Sequence, residues 1–152
     1  MKKLTRILGS ILLLSVFSNF ALAQSVGDVI TLVEETKKGI ETNASKTISD
    51  INRGSVSKSL YVFVVDADKI IVAHGYLPTR VGLSDQAMVD VLGKPYTYEM
   101  HDKANKYGSG WVDYVYINPV TGKDENKLTY FERALGSDGK TYIVGSGLYY
   151  NK

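Results

Sequence analysis

The stretch GSGWVDYVYINPVTGK, residues 108–123, decides how the second half of the chain folds. From Gly110 to Ile117 it is dense in aromatic and β-branched residues, and an Asn-Pro turn follows, which together predict a β-strand. Two later segments, Asn126–Leu135 and Thr141–Tyr149, have the same character, and the connections between the three are rich in Gly, Asp and Asn. Short turns of this composition join antiparallel neighbours, so we predict that these strands form a meander.

A long helix is predicted at the other end of the domain, from Ser25 to Arg53. Its apolar residues recur at helical spacing, Ser25 and Asp28 form a candidate N-terminal cap, and Gly54 follows as a stop signal. A helix of about 28 residues would be about 42 Å long, which exceeds what a compact domain of this size can cover. We therefore expect part of the helix to project or to bend.

Between this helix and the meander, the sequence predicts a hairpin and a helical insertion. Leu60–Val65 and Ile70–His74 are apolar runs separated by the turn Asp66-Ala67-Asp68-Lys69. After a turn-rich segment, Asp85–Leu92 and Tyr96–Lys106 are compatible with short helices. The resulting prediction is an α+β fold of the PAS-like kind: a five-stranded antiparallel sheet, a long N-terminal helix and a helical insertion between the second and third strands.

The first 23 residues have the three parts of a secretory signal peptide: a basic start, an apolar run from Ile7 to Phe20, and the cleavage pattern Ala21-Leu22-Ala23. We therefore predict cleavage after Ala23, export to the periplasm, and one domain over residues 24–152. The alternative is a leader that is retained as a membrane anchor, although Gly, Ser and Asn residues interrupt its apolar run.

Charge and cysteine content argue against several classes of function. Three of the 18 basic residues lie in the leader, so 15 basic and 16 acidic residues leave the predicted mature domain with a net charge of −1. No basic patch then argues for a nucleic-acid partner. The chain has no Cys, which excludes disulfides, thiolate metal sites and Cys nucleophiles.

The sequence carries no recognised catalytic or metal-binding motif. Its two His, His74 and His101, lie in different predicted elements. Together with a carboxylate such as Asp85 they do not match any known spacing of metal ligands. Asp66-x-Asp68 lacks the third oxygen ligand and the Gly of a calcium loop, and no Ser lies in a nucleophile elbow. We therefore expect no enzymatic activity, no metal and no cofactor.

One face of the predicted meander has the character of a small anion site. Strand alternation places four polar-tipped side chains on it or close to it: Tyr114, Tyr116, Tyr149 and Lys127. Gly145 and Gly147 clear space on the same face, which a helix or a ligand would fill. Tyr hydroxyls donate hydrogen bonds from rigid apolar rings, and a Lys supplies the counter-charge for a buried carboxylate. The alternative is an aromatic core face packed on the long helix, with Lys127 at the surface.

Four segments together resemble a known family: YVFVVDADKIIVAHG (61–75), YEMHDKANKYGSGWVDYVYINPVTGK (98–123), KLTYFERA (127–134) and YIVGSGLYY (142–150). In this order they are similar to the single Cache domains of type 2, which are extracytoplasmic sensor domains. The resemblance implies a pocket between the sheet and the inserted segment, and ligands that are small organic molecules, often short carboxylates. Gly75 departs from the Pro that usually follows the family's His, and Tyr116 stands where a Trp is common.

Carried over by position, the resemblance implies eight ligand-binding candidates: His74, Met100, Trp111, Tyr114, Tyr116, Lys127, Tyr130 and Tyr149. Lys127 and Tyr130 fall on opposite faces of an ideal strand, so a bulge or an irregular start of the strand would be needed to bring both to one ligand.

These observations favour a periplasmic domain that binds a small, anionic organic ligand without turnover. Because the sequence ends three residues after Tyr149, we expect a freestanding domain whose bound state is read by a membrane receptor, a sensor kinase or a transporter. The alternative is an interaction module with a vestigial pocket, in which the N-terminal helix mediates homodimerisation or docking.

Overall fold

In this computed structural model the described residues are 24–54 and 59–150. The predicted leader and its cleavage site, residues 1–23, lie outside them. The elements in chain order are α1 (Val26–Asn52), β1 (Val62–Asp66), β2 (Ile71–His74), a 3-10 turn (Pro78–Arg80), α2 (Tyr96–Tyr107), β3 (Ser109–Ile117), β4 (Asp124–Leu135) and β5 (Thr141–Tyr150). Within the described ranges, no helix combines the length and the apolar character needed to cross a membrane.

The five strands form one antiparallel sheet in the order β2-β1-β5-β4-β3. Strands β3, β4 and β5 form the predicted meander, and β5 also pairs with β1 and so joins the hairpin to it. Helix α1 packs on one face, where Val33 and Ile40 meet Val64 and Val144. Helix α2 packs on the other face. The predicted α+β class and the five-stranded antiparallel sheet are confirmed.

Helix α1 begins and bends as its sequence predicts. Ser25 and Asp28 form a reciprocal capping box, with the Ser25 N–H donating to the Asp28 carboxylate at 2.7 Å. Asn43 has extended backbone angles (φ −155°, ψ 86°) that kink the helix. The turn between β4 and β5 fills this kink, because Ser137 donates its N–H to the Ile40 carbonyl and its hydroxyl accepts the N–H of Ala44.

The predicted helix Asp85–Leu92 is wrong, and this segment is an irregular loop. The Asp90 carboxylate accepts the backbone N–H groups of Leu92 and Lys94 and also that of Val115 in β3. An Asp side chain that bonds nearby backbone donors stabilises a turn in place of a helix. The second predicted helix is present as α2 and ends at Gly108, which has the left-handed angle φ 79°.

Candidate functional site

A cavity of about 30 Å³ lies between the sheet and the segment that contains α2 and the irregular loop. Its sheet side is formed by six polar or aromatic side chains, which come from the first four strands and from the residue before β1: Tyr61, Phe63, His74, Tyr114, Tyr116 and Lys127. Five side chains close it from the opposite side: Asp85, Met88, Tyr96, Thr97 and Met100. The space corresponds to about two water molecules, so a ligand is limited to a few non-hydrogen atoms unless a side chain moves.

Lys127 is the central feature of this cavity. Its side chain is only 1% exposed, and burial lowers its pKa from 10.5 to about 7. Among the described residues Lys127 forms no ion pair with a carboxylate. Lys127 is therefore a buried amine without an ion-paired carboxylate among these residues, and its charged form is costly unless a negative group binds next to it.

Five aromatic rings surround the ammonium group in place of a carboxylate. Their centroids lie 4.1 to 5.9 Å from Nζ and belong to Tyr61, Phe63, Tyr114, Tyr116 and Tyr149. The faces of aromatic rings attract a cation, and the attraction is stronger where water is excluded. The rings thus offset part of the energy of burying the charged form of Lys127.

A chain of hydrogen bonds fixes the position of Nζ. Lys127 Nζ donates to the Tyr61 hydroxyl at 2.7 Å, and the Tyr61 and Tyr149 hydroxyls are 3.2 Å apart. Tyr149 in turn donates to the Ile117 carbonyl at 2.7 Å, so its oxygen is free to accept from Tyr61. Toward the residues that the structure describes, a protonated Lys127 uses one of its three N–H groups, which leaves two for a ligand.

The glycines of β5 make room for protein side chains rather than for a ligand. A Cβ on Gly147 would meet the Lys127 side chain and Thr129, and a Cβ on Gly145 would overlap the Phe63 ring. The prediction that these glycines clear space on the Tyr149 face is therefore confirmed. The space is filled by Phe63, Thr129 and the Lys127 stem, and not by a helix or a ligand.

His74 is a neutral hydrogen-bond acceptor toward its own loop. Its Nδ1 accepts the backbone N–H of Leu77 at 2.9 Å and that of Tyr76 at 3.3 Å, so its proton belongs on Nε2. Burial, followed by the charges of Lys127 and Arg80, lowers the pKa of His74 to about 3. The ring stacks on Tyr61, with centroids 5.1 Å apart, and presents an uncharged donor to the cavity region.

The side of the cavity opposite the sheet is formed by aromatic stacking and by the pair of Asp85 and His101. The Tyr96 ring lies flat on Tyr114, with centroids 4.1 Å apart and an angle of 6°. Asp85 is 3% exposed, and its two oxygens lie 2.9 and 3.0 Å from Nε2 of His101. Of the described residues, no group of three His, Asp or Glu side chains is arranged to hold a metal ion.

The structure brings together five of the eight candidates, since His74, Met100, Tyr114, Tyr116 and Lys127 all line the cavity. Tyr149 lies on the same face and contacts the Lys127 and Tyr61 side chains without lining the cavity.

The positions of Trp111 and Tyr130 require a correction, because neither side chain lines the cavity. The two rings contact each other, with centroids 4.9 Å apart, and Tyr130 packs against the core beneath α1. The pairing of β4 is regular from Asn126 to Leu135, so no bulge turns Tyr130 toward Lys127. Strand alternation therefore sends both rings to the opposite face of the sheet.

Tyr61, Phe63, Tyr96 and Asp85 line the cavity but were not among the sequence candidates. Tyr61 and Phe63 could have been found from the alternation within YVFVV, which places them on one face. Tyr96 and Asp85 carry no comparable signal, because their positions depend on how the insertion folds over the sheet.

Comparisons with known proteins agree with this fold. The sequence matches the family described as Single Cache domain 2 over residues 20–152. None of the curated proteins compared with the chain matches it. A structure described as a periplasmic sensor domain of a chemotaxis protein is 24% identical, with a TM-score of 0.64, over 82% of this chain and 94% of that chain.

Two further structures share the fold. A methyl-accepting chemotaxis protein from Vibrio parahaemolyticus RIMD 2210633 is 19% identical, with a TM-score of 0.61, over 79% of this chain and 80% of that chain. A structure described as the "structural basis for carboxylic acid recognition by a Cache chemosensory domain" is 20% identical, with a TM-score of 0.64, over 84% of this chain and all of that chain. The match over residues 20–152 identifies the chain as a member of the single Cache domain 2 family of extracytoplasmic sensor domains.

Proposed function

We propose that this domain binds a short organic carboxylate in the periplasm and acts by binding alone, without turnover. The observation that carries the proposal is Lys127, a buried amine that has no carboxylate partner among the described residues and two N–H groups to spare. A bound carboxylate would supply the missing charge and accept both hydrogen bonds.

The cavity walls favour a small organic anion. Phe63, Met88 and Met100 supply apolar surface, and Tyr116 and His74 supply further polar groups that are uncharged at neutral pH. A site with one cationic group and mostly apolar walls recognises the negative end of a ligand and limits its size. One similar structure is described by its recognition of carboxylic acids, which supports the same ligand class here.

The bound state would be communicated to a membrane receptor, a sensor kinase or a transporter. Helix α1 is the proposed surface for this contact or for a homodimer. It lies on the face of the sheet opposite the cavity, and β4, which carries Lys127, also contacts it through the 2.8 Å ion pair of Glu132 with Lys37. The leader pattern and the extracytoplasmic character of the family support the proposed periplasmic location.

The test is thermal unfolding of residues 24–152 against a panel of short carboxylates, amino acids and neutral analogues. A ligand at about 100 times its Kd should add about 2.7 kcal/mol to the free energy of unfolding, or several degrees in Tm. Lys127→Met should abolish the shift, whereas Lys140→Met, an exposed residue in the turn between β4 and β5, should leave it intact.

Two results would overturn the proposal. One is a ligand-induced shift that survives Lys127→Met unchanged. The other is a panel without any shift together with a mass that rises with protein concentration, which would favour the alternative function of α1 as an interaction module.

A further inference from the structure

The cavity carries a second charged group besides Lys127, and it has the opposite sign. Asp85 lines the same space, is 3% exposed, and has the His101 ring as its side-chain partner among the described residues. Each carboxylate oxygen has two lone pairs, and His101 Nε2 reaches each oxygen once, at 2.9 and 3.0 Å. Asp85 therefore retains acceptor capacity for a ligand.

Asp85 and Lys127 do not neutralise each other. They form no ion pair with one another, and the ion-pair partner of Asp85 is His101. Backbone connections hold them apart: the Asp85 N–H donates to the Lys69 carbonyl in the β1–β2 turn, whereas Lys127 pairs with Tyr149 near the end of β5. The cavity thus has a donor pole at Lys127 and an acceptor pole at Asp85.

A cavity with two opposite poles is complementary to a ligand with two opposite ends. A plain monocarboxylate would satisfy Lys127 and leave Asp85 facing apolar atoms or the ligand's own negative charge. A carboxylate with a hydrogen-bond donor at its other end would satisfy both groups. We infer that Asp85, oriented by His101, is a specificity-determining residue that selects carboxylates bearing an ammonium or hydroxyl group over plain ones.

This inference rests on the proposed function, and isosteric ligands test it separately. Propionate, glycolate and glycine have the same number of non-hydrogen atoms and end in a methyl, a hydroxyl and an ammonium group. Butyrate, 3-hydroxypropionate and β-alanine form the same series one carbon longer, so the two series differ in the distance between the carboxylate and the other end. Calorimetric titration of the wild-type domain should give at least about tenfold tighter binding of a donor-bearing member than of its methyl isostere in one series.

Asp85→Asn keeps the size of the side chain and removes its charge. The variant should bind the plain acid as tightly as wild type or more tightly, and the ammonium or hydroxyl isostere at least about tenfold more weakly. A purely structural role of Asp85 would move both affinities in the same direction. The wild-type preference is itself a test that does not require the variant to fold.

The outcomes separate the two proposals. The inference is overturned if plain and donor-bearing acids bind equally in both series, or if Asp85→Asn weakens them equally, while Lys127→Met still abolishes binding. If Lys127→Met leaves binding intact, the proposed function itself fails. In the wild-type domain, the ratio of the affinities for the ammonium and the hydroxyl ligand shows whether the site prefers an amino acid or a hydroxy acid.

Discussion

Raising the pH from 6 to 9 should release a bound carboxylate from this domain. The amine of Lys127 has a pKa of about 7 in the unliganded protein, because burial disfavours its charged form. A short carboxylate is ionised throughout this range, so only the protein changes its charge. The complex forms with the protonated amine, and its affinity must fall as that form becomes rare.

The size of the effect follows from the fraction of Lys127 that is protonated. With a pKa of about 7, that fraction falls from about nine-tenths at pH 6 to about one-hundredth at pH 9. Affinity should therefore fall about 90-fold, which corresponds to about 2.7 kcal/mol at 1.36 kcal/mol per tenfold change. His74 does not contribute, since its pKa of about 3 keeps it neutral over the whole range.

Calorimetry in two buffers of different ionisation enthalpy measures both the affinity and the number of protons taken up. Binding should take up about 0.1 proton at pH 6 and about 0.9 at pH 8 if the bound carboxylate holds Lys127 protonated. The stability of the unliganded domain provides the control. The pKa of Lys127 is about 7 in the folded state and 10.5 in the unfolded chain, so the unfolded chain binds more protons between these values. The wild-type domain should therefore gain stability as the pH rises above about 7, and Lys127→Met should not. A constant Kd without proton uptake between pH 6 and 9 would refute the assignment of Lys127 as the charged contact.

Two further predictions concern the surroundings of this amine. Gly145→Ala should lower the free energy of unfolding by about 1–3 kcal/mol, because the new Cβ overlaps the Phe63 ring; equal denaturation midpoints for wild type and variant would contradict this packing. The domain should also lose stability as the pH falls from 6.5 toward 3. The pKa of His74 is 6.5 in the unfolded chain and about 3 in the folded state, so over this range only the unfolded chain takes up the proton. His74→Gln should flatten this part of the stability profile, and an unchanged slope would mean that other groups control acid unfolding.

Local sequence patterns were sufficient to predict most of the fold. The capping pair Ser25 and Asp28, and the stop at Gly108, act within one helical turn: α1 begins directly after Ser25, and α2 ends at Gly108. Alternation along β3 and β4 correctly placed Tyr114 and Lys127 on one face, because successive side chains of a strand point to opposite sides. The same rule argued against Tyr130 as a partner of Lys127, and the regular register of β4 agrees with it.

The insertion was less predictable because its conformation depends on contacts made far along the chain. Asp90 is equally suited to a helix surface and to a turn until its carboxylate meets the N–H of Val115, which lies 25 residues away. Tyr96 acquires its role only when its ring stacks on Tyr114 of the sheet. Asp85 likewise lines the cavity only because the loop folds over β1 and β2.

The burial of Lys127, which supports the proposed function, arises only when three separate parts of the chain come together. In KLTYFERA a Lys at this position is indistinguishable from a surface residue, since alternation fixes its face and not its exposure. Burial requires Tyr61, 66 residues earlier, and Tyr149 on the last strand to close around its stem, while Gly147 leaves room for it. The segment that carries Tyr61 joins the meander through the pairing of β1 with β5. A ligand that binds the assembled amine must therefore stabilise this pairing, and its binding energy should appear as slower hydrogen exchange of the β1 and β5 amides as well as a higher Tm.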